Sequence, residues 1–149
     1  DKIGDHFAVY FPDPNIIFHR VSKLNFLGES YCPADGGTVL LAEVTFRPDS
    51  YLGSLSVKAI EDEIVVNLGA LGLIDPNDVT AIETKTEKYA YVIYDLDHRR
   101  NADTVLNYLK SIGIRCAGRF AEFEYLNTDG VVEHTLKLAR ELNQKTIAA

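Results

Sequence analysis

The feature that most constrains this chain is a junction. A short β-prone run at 114–117 reaches Gly118, passes Arg119, Phe120, Glu122, Phe123, Glu124 and Tyr125, and meets Asn127, Thr128 and Asp129 just before an amphipathic helix pattern. It reads as a strand that ends in a glycine, turns through an aromatic loop and delivers backbone amides at a helix start. Such a start carries unpaired N–H groups and partial positive charge, which suits a phosphate or the electron-rich edge of a cofactor ring. Any fold for this sequence must therefore bring a strand end, an aromatic loop and a helix N-terminus together.

The rest of the chain supplies a sheet and further helices. Phe7, Val9 and Phe11 form an aromatic and β-branched run, stopped by the turn chemistry of Pro12, Asp13, Pro14 and Asn15. A second arm at 16–22 completes a hairpin, with Phe18 and Arg20 on one face and Ile17, His19 and Val21 on the other. After a loop at 23–38, residues 39–46 make another strand, broken at Arg47 and Pro48. A helical pattern begins near Ser54, with Val57, Ile60, Ile64, Leu68 and Leu71 on one stripe, and ends around Gly69, Gly72 and Pro76. Residues 78–86 and 88–95 read as extended, the second as the last strand of the sheet.

Asp97 is placed to cap a second helix whose stripe is Ala102, Val105, Leu106, Leu109 and Ile112, with Gly113 as its C-cap glycine. Thr128 or Asn127 caps a third, with Val132, Leu136, Ala139 and Leu142 on one side. About three helices and six strands in mixed order predict an α+β fold with a mixed, largely antiparallel sheet.

Bulk properties narrow the function classes. A length of 149 residues supports one well-buried core. A net charge of −7 leaves no basic stripe for nucleic acid or an anionic membrane. No apolar run approaches a membrane span and no leader pattern opens the chain, which begins at Asp1 and contains no methionine. Cys32 and Cys116 lack metal-finger or CxxC spacing and read as buried free thiols, in keeping with a cytoplasmic setting. His6, His19, His98 and His134 are scattered without metal-ligand spacing, so no metal site is expected.

Three blocks, in order, resemble the flavin-dependent amine oxidase superfamily, in particular its UDP-galactopyranose mutase and protoporphyrinogen-oxidase-like branches. The first runs from Tyr10 to Ser22, with Arg20, and continues through Asn25, Phe26, Cys32, Pro33 and Glu43. It is similar to a hairpin beside the flavin in mutase-like members, and Arg20 is similar in position to an arginine that grips a nucleotide-sugar diphosphate. The second, at 89–95 with Tyr91, resembles the strand returning from substrate domain to FAD domain. The third is the Gly118 to Asp129 junction.

The resemblance implies that this is an incomplete portion of a two-domain FAD-binding flavoprotein: residues 1–96 a substrate-domain-like sheet and helix, residues 97–149 the C-terminal return segment of the FAD-binding domain. It implies cofactor contacts at Gly118, Arg119, Asn127, Thr128 and Asp129, and substrate contacts at Arg20, Tyr91 and Tyr125. The implied activity is flavin-mediated isomerisation of a nucleotide sugar, with amine or porphyrinogen oxidation as the alternative and a non-catalytic interaction module as the rival of another class. The chain has no GxGxxG dinucleotide fingerprint, so FAD binding is expected from the complete protein, with its N-terminal FAD-binding half, and weakly or not at all from this segment. Self-association through an exposed sheet or pocket surface is a further expectation.

Each of these residues also has a structural reading. Arg20 is able to pair with Glu43 across the sheet, and Arg119 with Glu122 or Glu124. Tyr125 has ordinary burial as its alternative, and Asn127, Thr128 and Asp129 are helix-cap types. Tyr89, Tyr91 and Tyr94 read as core or pocket wall. Glu122 and Glu124 read as solvated, since no base partners them in the sequence.

Overall fold

The structure is a computed structural model that describes residues 2–147; Asp1, Ala148 and Ala149, the outer residues of the two predicted domains, lie outside the described residues. The chain forms two compact units, one running to Lys85 and the other starting at Thr86. The architecture is α+β.

In the first unit, β1 (Ala8–Tyr10), β2 (Arg20–Lys23) and β3 (Leu40–Glu43) form an antiparallel sheet in the order β1-β2-β3. The predicted hairpin closes through the proline turn: the Asp13 carboxylate accepts from the Asn15 amide at 2.9 Å, and the Ile16 amide donates to the Asp13 carbonyl at 3.1 Å. One turn of helix, α1 (Tyr51–Ser54), precedes α2 (Val57–Ala70), which starts where the Ser56 hydroxyl accepts from the Ala59 amide at 3.1 Å. Gly72, at φ +68°, ends α2, with the Leu73 amide returning to the Leu68 carbonyl at 3.0 Å.

The core of this unit is Ile3, Phe18, Val21 and Leu68, flanked by Val9, Phe11, Leu40, Ala42 and Ile64. Phe18 and Val21 are both fully buried. Strict alternation would have put them on opposite faces, so the two-residue period breaks before β2 begins at Arg20. Only the middle of the α2 stripe packs: Val57 and Leu71 remain exposed. Asn67, on α2, reaches the hairpin, its side-chain oxygen accepting from the Ile17 amide at 3.0 Å.

The second unit contains α3 (His98–Ser111) and α4 (Thr128–Ile147). Gly113 closes α3 as expected, at φ +85°, with the Ile114 amide donating to the Leu109 carbonyl at 2.9 Å. Asp97 occupies the cap position, yet its carboxylate pairs with Arg100 instead of a backbone amide.

Several expectations are corrected. Residues 78–86, 88–95 and 114–117 belong to no strand, and the sheet has three strands among the described residues. Of the predicted α4 stripe, Val132, Leu136 and Leu142 are exposed, as are Val105 and Ile112 of the α3 stripe. Cys32 is exposed and Cys116 half-buried, so neither is a core thiol.

Burial is thin throughout. The chain exposes 11354 Å² for a mass of 16.6 kDa, whereas even two separate compact bodies of half that mass would together expose roughly 9,100 Å².

Two predictions concern the first unit. A Cβ on Gly69 would lie 2.8 Å from Pro76 Cγ, and overpacking of this kind costs about 1–3 kcal/mol against about 1 kcal/mol gained in helix propensity. Gly69→Ala should therefore lower the urea midpoint, and an unchanged midpoint would mean that the Pro76 ring yields. The Tyr51 hydroxyl donates to Glu63 Oε1 at 3.1 Å, which raises its pKa, first because ionisation would forfeit that hydrogen bond and then because it would set a second anion beside the carboxylate. Glu63→Gln should bring the Tyr51 titration down towards that of a free phenol, as read by NMR of the tyrosine ring carbons.

Candidate functional site

In the second unit the residues around the Gly118 junction converge on Arg119. Its guanidinium carbon lies 4.1 Å from the Tyr125 ring centre and 5.4 Å from that of Tyr91. The two rings are stacked, 6.1 Å apart with 9° between their planes. Arg119 Nη1 donates to the Leu126 carbonyl at 3.4 Å, while Nε is buried with no partner among the described residues. No carboxylate of the described residues pairs with this arginine. The expected alternative, a salt bridge to Glu122 or Glu124, is not formed: Glu124 bonds Arg99 at 3.2 Å and Glu122 bonds His134. A cation lying against the edge of a tyrosine pair is attracted by the ring quadrupoles, which leave its charge uncompensated.

The loop is built to put Arg119 there. Gly118 has φ +96°, a region that only glycine enters freely, and nothing nearer than Val131 Cγ1 at 3.8 Å crowds the place of its missing Cβ. Three amide bonds then coil the chain: Glu122 to the Gly118 carbonyl at 2.8 Å, Glu124 to Arg119 at 2.9 Å and Leu126 to Glu124 at 2.9 Å. Phe123 takes a positive φ of 51°, uncommon for a side chain of its size.

Tyr94 holds the loop from outside, its hydroxyl accepting from the Tyr125 amide at 2.7 Å. Its ring meets His98 edge-on at 4.2 Å, and the His98 ring stacks on Phe123 at 5.6 Å. His98 is buried and its Nε2 has no partner among the described residues. The segment at 88–95 thus acts as a wall through Tyr91 and Tyr94 without forming a strand, while Tyr89, expected as core or pocket wall, is exposed and Val92 is the residue it buries.

Gly118, Arg119, Tyr91 and Tyr125 are therefore assembled at one place. The chain continues directly into α4, where the Asn127 carbonyl accepts the first helical bond, from Val131 at 3.0 Å. Asn127, Thr128 and Asp129 are exposed at this start, whose first N–H groups have no acceptor within the helix.

Arg20 belongs to the other unit. It sits in the middle of a row across the sheet, opposite Tyr10 on one side and Glu43 on the other. Its Nε donates to Glu43 Oε2 and its Nη1 to the Tyr10 hydroxyl at 3.1 Å. These two bonds, that to Glu43 first, hold its pKa above the ordinary arginine value. The cross-strand pairing with Glu43 is thus the arrangement present.

Glu122 is the residue whose role the sequence concealed. It was expected to be solvated, but it is half-buried: Oε2 accepts from the Gly118 amide at 3.1 Å, and both oxygens lie 3.0–3.1 Å from His134 Nδ1. Its four-residue spacing from Gly118 was the available signal. Among the described residues no group of His, Cys, Asp and Glu is arranged to hold a metal ion. No helix of the described residues is long and apolar enough to cross a membrane. No protein-family model, curated protein or solved structure matches the chain, so the site must be read from its own geometry.

Because a lysine ammonium would also be drawn to the ring faces, Arg119→Met is the informative variant: it keeps an apolar stem and removes the charge. We expect a loss of about 0.5–2 kcal/mol, the range for a cation on aromatic faces, together with altered Tyr91 and Tyr125 ring resonances. Unchanged ring resonances would mean that the stack does not persist in solution.

Proposed function

We propose that this chain is the C-terminal segment of an FAD-dependent enzyme of the amine oxidase superfamily, of the UDP-galactopyranose mutase-like type, with Gly118, Arg119 and the start of α4 along one edge of the cofactor. The observation that supports this reading is Arg119 and its two tyrosines. A guanidinium set beside two tyrosine rings with no carboxylate of the described residues to neutralise it, one turn of loop away from a helix N-terminus, favours a planar, electron-rich or anionic group. The fit extends to Gly118, where the absence of a side chain lets a ligand approach the backbone.

In this reading the flavin supplies the redox and covalent chemistry when bound, and the residues of this chain bind and orient. Arg119 and the amides at 128–129 meet negative charge on the cofactor, and Tyr91 and Tyr125 wall the site. Arg20 meets the diphosphate of a nucleotide sugar, which must compete with Glu43 for the guanidinium. Competition of this kind makes substrate affinity sensitive to Glu43. With amine or porphyrinogen substrates in place of a nucleotide sugar, Arg20 and Glu43 remain a structural pair.

The test is the visible absorption spectrum of the protein made from its complete reading frame, before and after adding a UDP-sugar under reducing conditions. A flavin spectrum that responds to the UDP-sugar supports the mutase version, and flavin without a response supports the oxidase version. Absence of flavin overturns the proposal. Arg119→Ala should weaken FAD binding about tenfold or more, equivalent to 1.4 kcal/mol or above.

One observation favours a second reading, a non-catalytic interaction module: the exposed α4 stripe of Val132, Leu136 and Leu142. In the flavoprotein reading that stripe packs against the remainder of the same protein. A complete protein in which these three side chains stay solvent-exposed, as seen by solvent labelling, would favour the module.

A further inference from the structure

We propose that Glu122 is the positioning residue that aims Arg119 against Tyr125 and Tyr91, by clamping Gly118 and tying the clamp to α4 through His134. The inference deepens the flavoprotein reading, since it rests on Arg119 being the cofactor-facing group, but the geometry that carries it lies wholly within the second unit.

Gly118 is held at both of its polar ends by one residue. Its carbonyl accepts from the Glu122 amide at 2.8 Å, and its own amide donates to Glu122 Oε2 at 3.1 Å. This reciprocal pair fixes the orientation of the peptides on either side of a φ of +96°. A glycine left without such partners samples many conformations. Arg119 is the next residue, so the direction of its side chain follows directly from that orientation.

The carboxylate is itself anchored. Both of its oxygens lie within 3.1 Å of Nδ1 of His134, which sits in the second turn of α4. Glu122 therefore links the loop that carries Arg119 to the helix whose start lies at the same site. Glu124, two residues on, pairs with Arg99 at the start of α3 and makes no bond to Gly118. The two carboxylates thus divide the work: Glu124 secures the loop to α3, and Glu122 sets the geometry of the arginine.

The test uses NMR on the isotopically labelled chain, without cofactor. The Arg119 Nε proton, buried beside two rings, should resonate away from its free-arginine position. Glu122→Ala should speed Gly118 amide exchange at least tenfold and return the Arg119 Nε–H signal to the free position. Glu122→Gln, which retains an acceptor oxygen, should preserve most of that signal. If Gly118 exchange rises while Arg119 Nε–H does not move, Glu122 is merely structural and the proposal fails. Should Glu122→Ala unfold the unit, His134→Ala removes only the α4 side of the link. It should shift the Arg119 signal part of the way, and no shift would overturn the inference. A complete protein that fails to bind FAD would sink the flavoprotein reading while leaving these outcomes unaffected.

Discussion

Scarce burial is the constraint from which the rest of this structure follows. Among the described residues, only Ile3, Phe18, Val21, Leu68, Val92 and Ala102 are buried hydrophobic side chains, and two of these lie in the second unit. Apolar area removed from water is the main non-directional force in folding, at roughly 25 cal/mol per Å². Where so little is removed, directional contacts must specify the conformation. In the first unit these are the Asn67 bond to Ile17 and the Arg20 row across the sheet; in the second they are the Tyr94 hydroxyl on the Tyr125 amide, the Glu122 clamp and the arginine against Tyr125. Such contacts fix geometry well, but they each contribute about 0.5–1.5 kcal/mol net.

The sequence revealed elements better than partners. The proline turn, the three strands of the small sheet, the helical pattern of α2 and the Gly113 stop of α3 are local chemistry, and local chemistry is written in neighbouring residues; the start of α2, expected near Ser54, falls at the Ser56 cap. Segments 78–86, 88–95 and 114–117 have strand composition but join no ladder, because a strand exists only where another supplies hydrogen bonds. Composition says that a segment suits a pleated surface; it does not say that one is present. The helix stripes fail for a related reason: periodicity shows which face of α4 is apolar, not what covers it. Asp97 was legible as a cap residue type, but Arg100, three residues away, takes its carboxylate.

At the candidate site the reading was half legible. Gly118 and Arg119 stood out because a glycine before an arginine at a loop start is a local signal, and Tyr125 because the following helix cap fixed the loop's extent. The stacking of Tyr91 on Tyr125 spans 34 positions and was invisible to spacing. Glu122 was misjudged because its partnership with His134 depends on α4 passing beside the loop, a tertiary fact.

The row of Tyr10, Arg20 and Glu43 bears on misfolding. Antiparallel strands as short as three and four residues can slide past one another at little cost in backbone bonds. If β3 slid by two residues, Arg20 would face Leu41 in place of Glu43 and lose its counter-charge; if it slid by one, the outward and inward sets would exchange faces. The row therefore works as a proofreading mark, penalising wrong alignments of a sheet whose small hydrophobic interior would otherwise discriminate among them poorly.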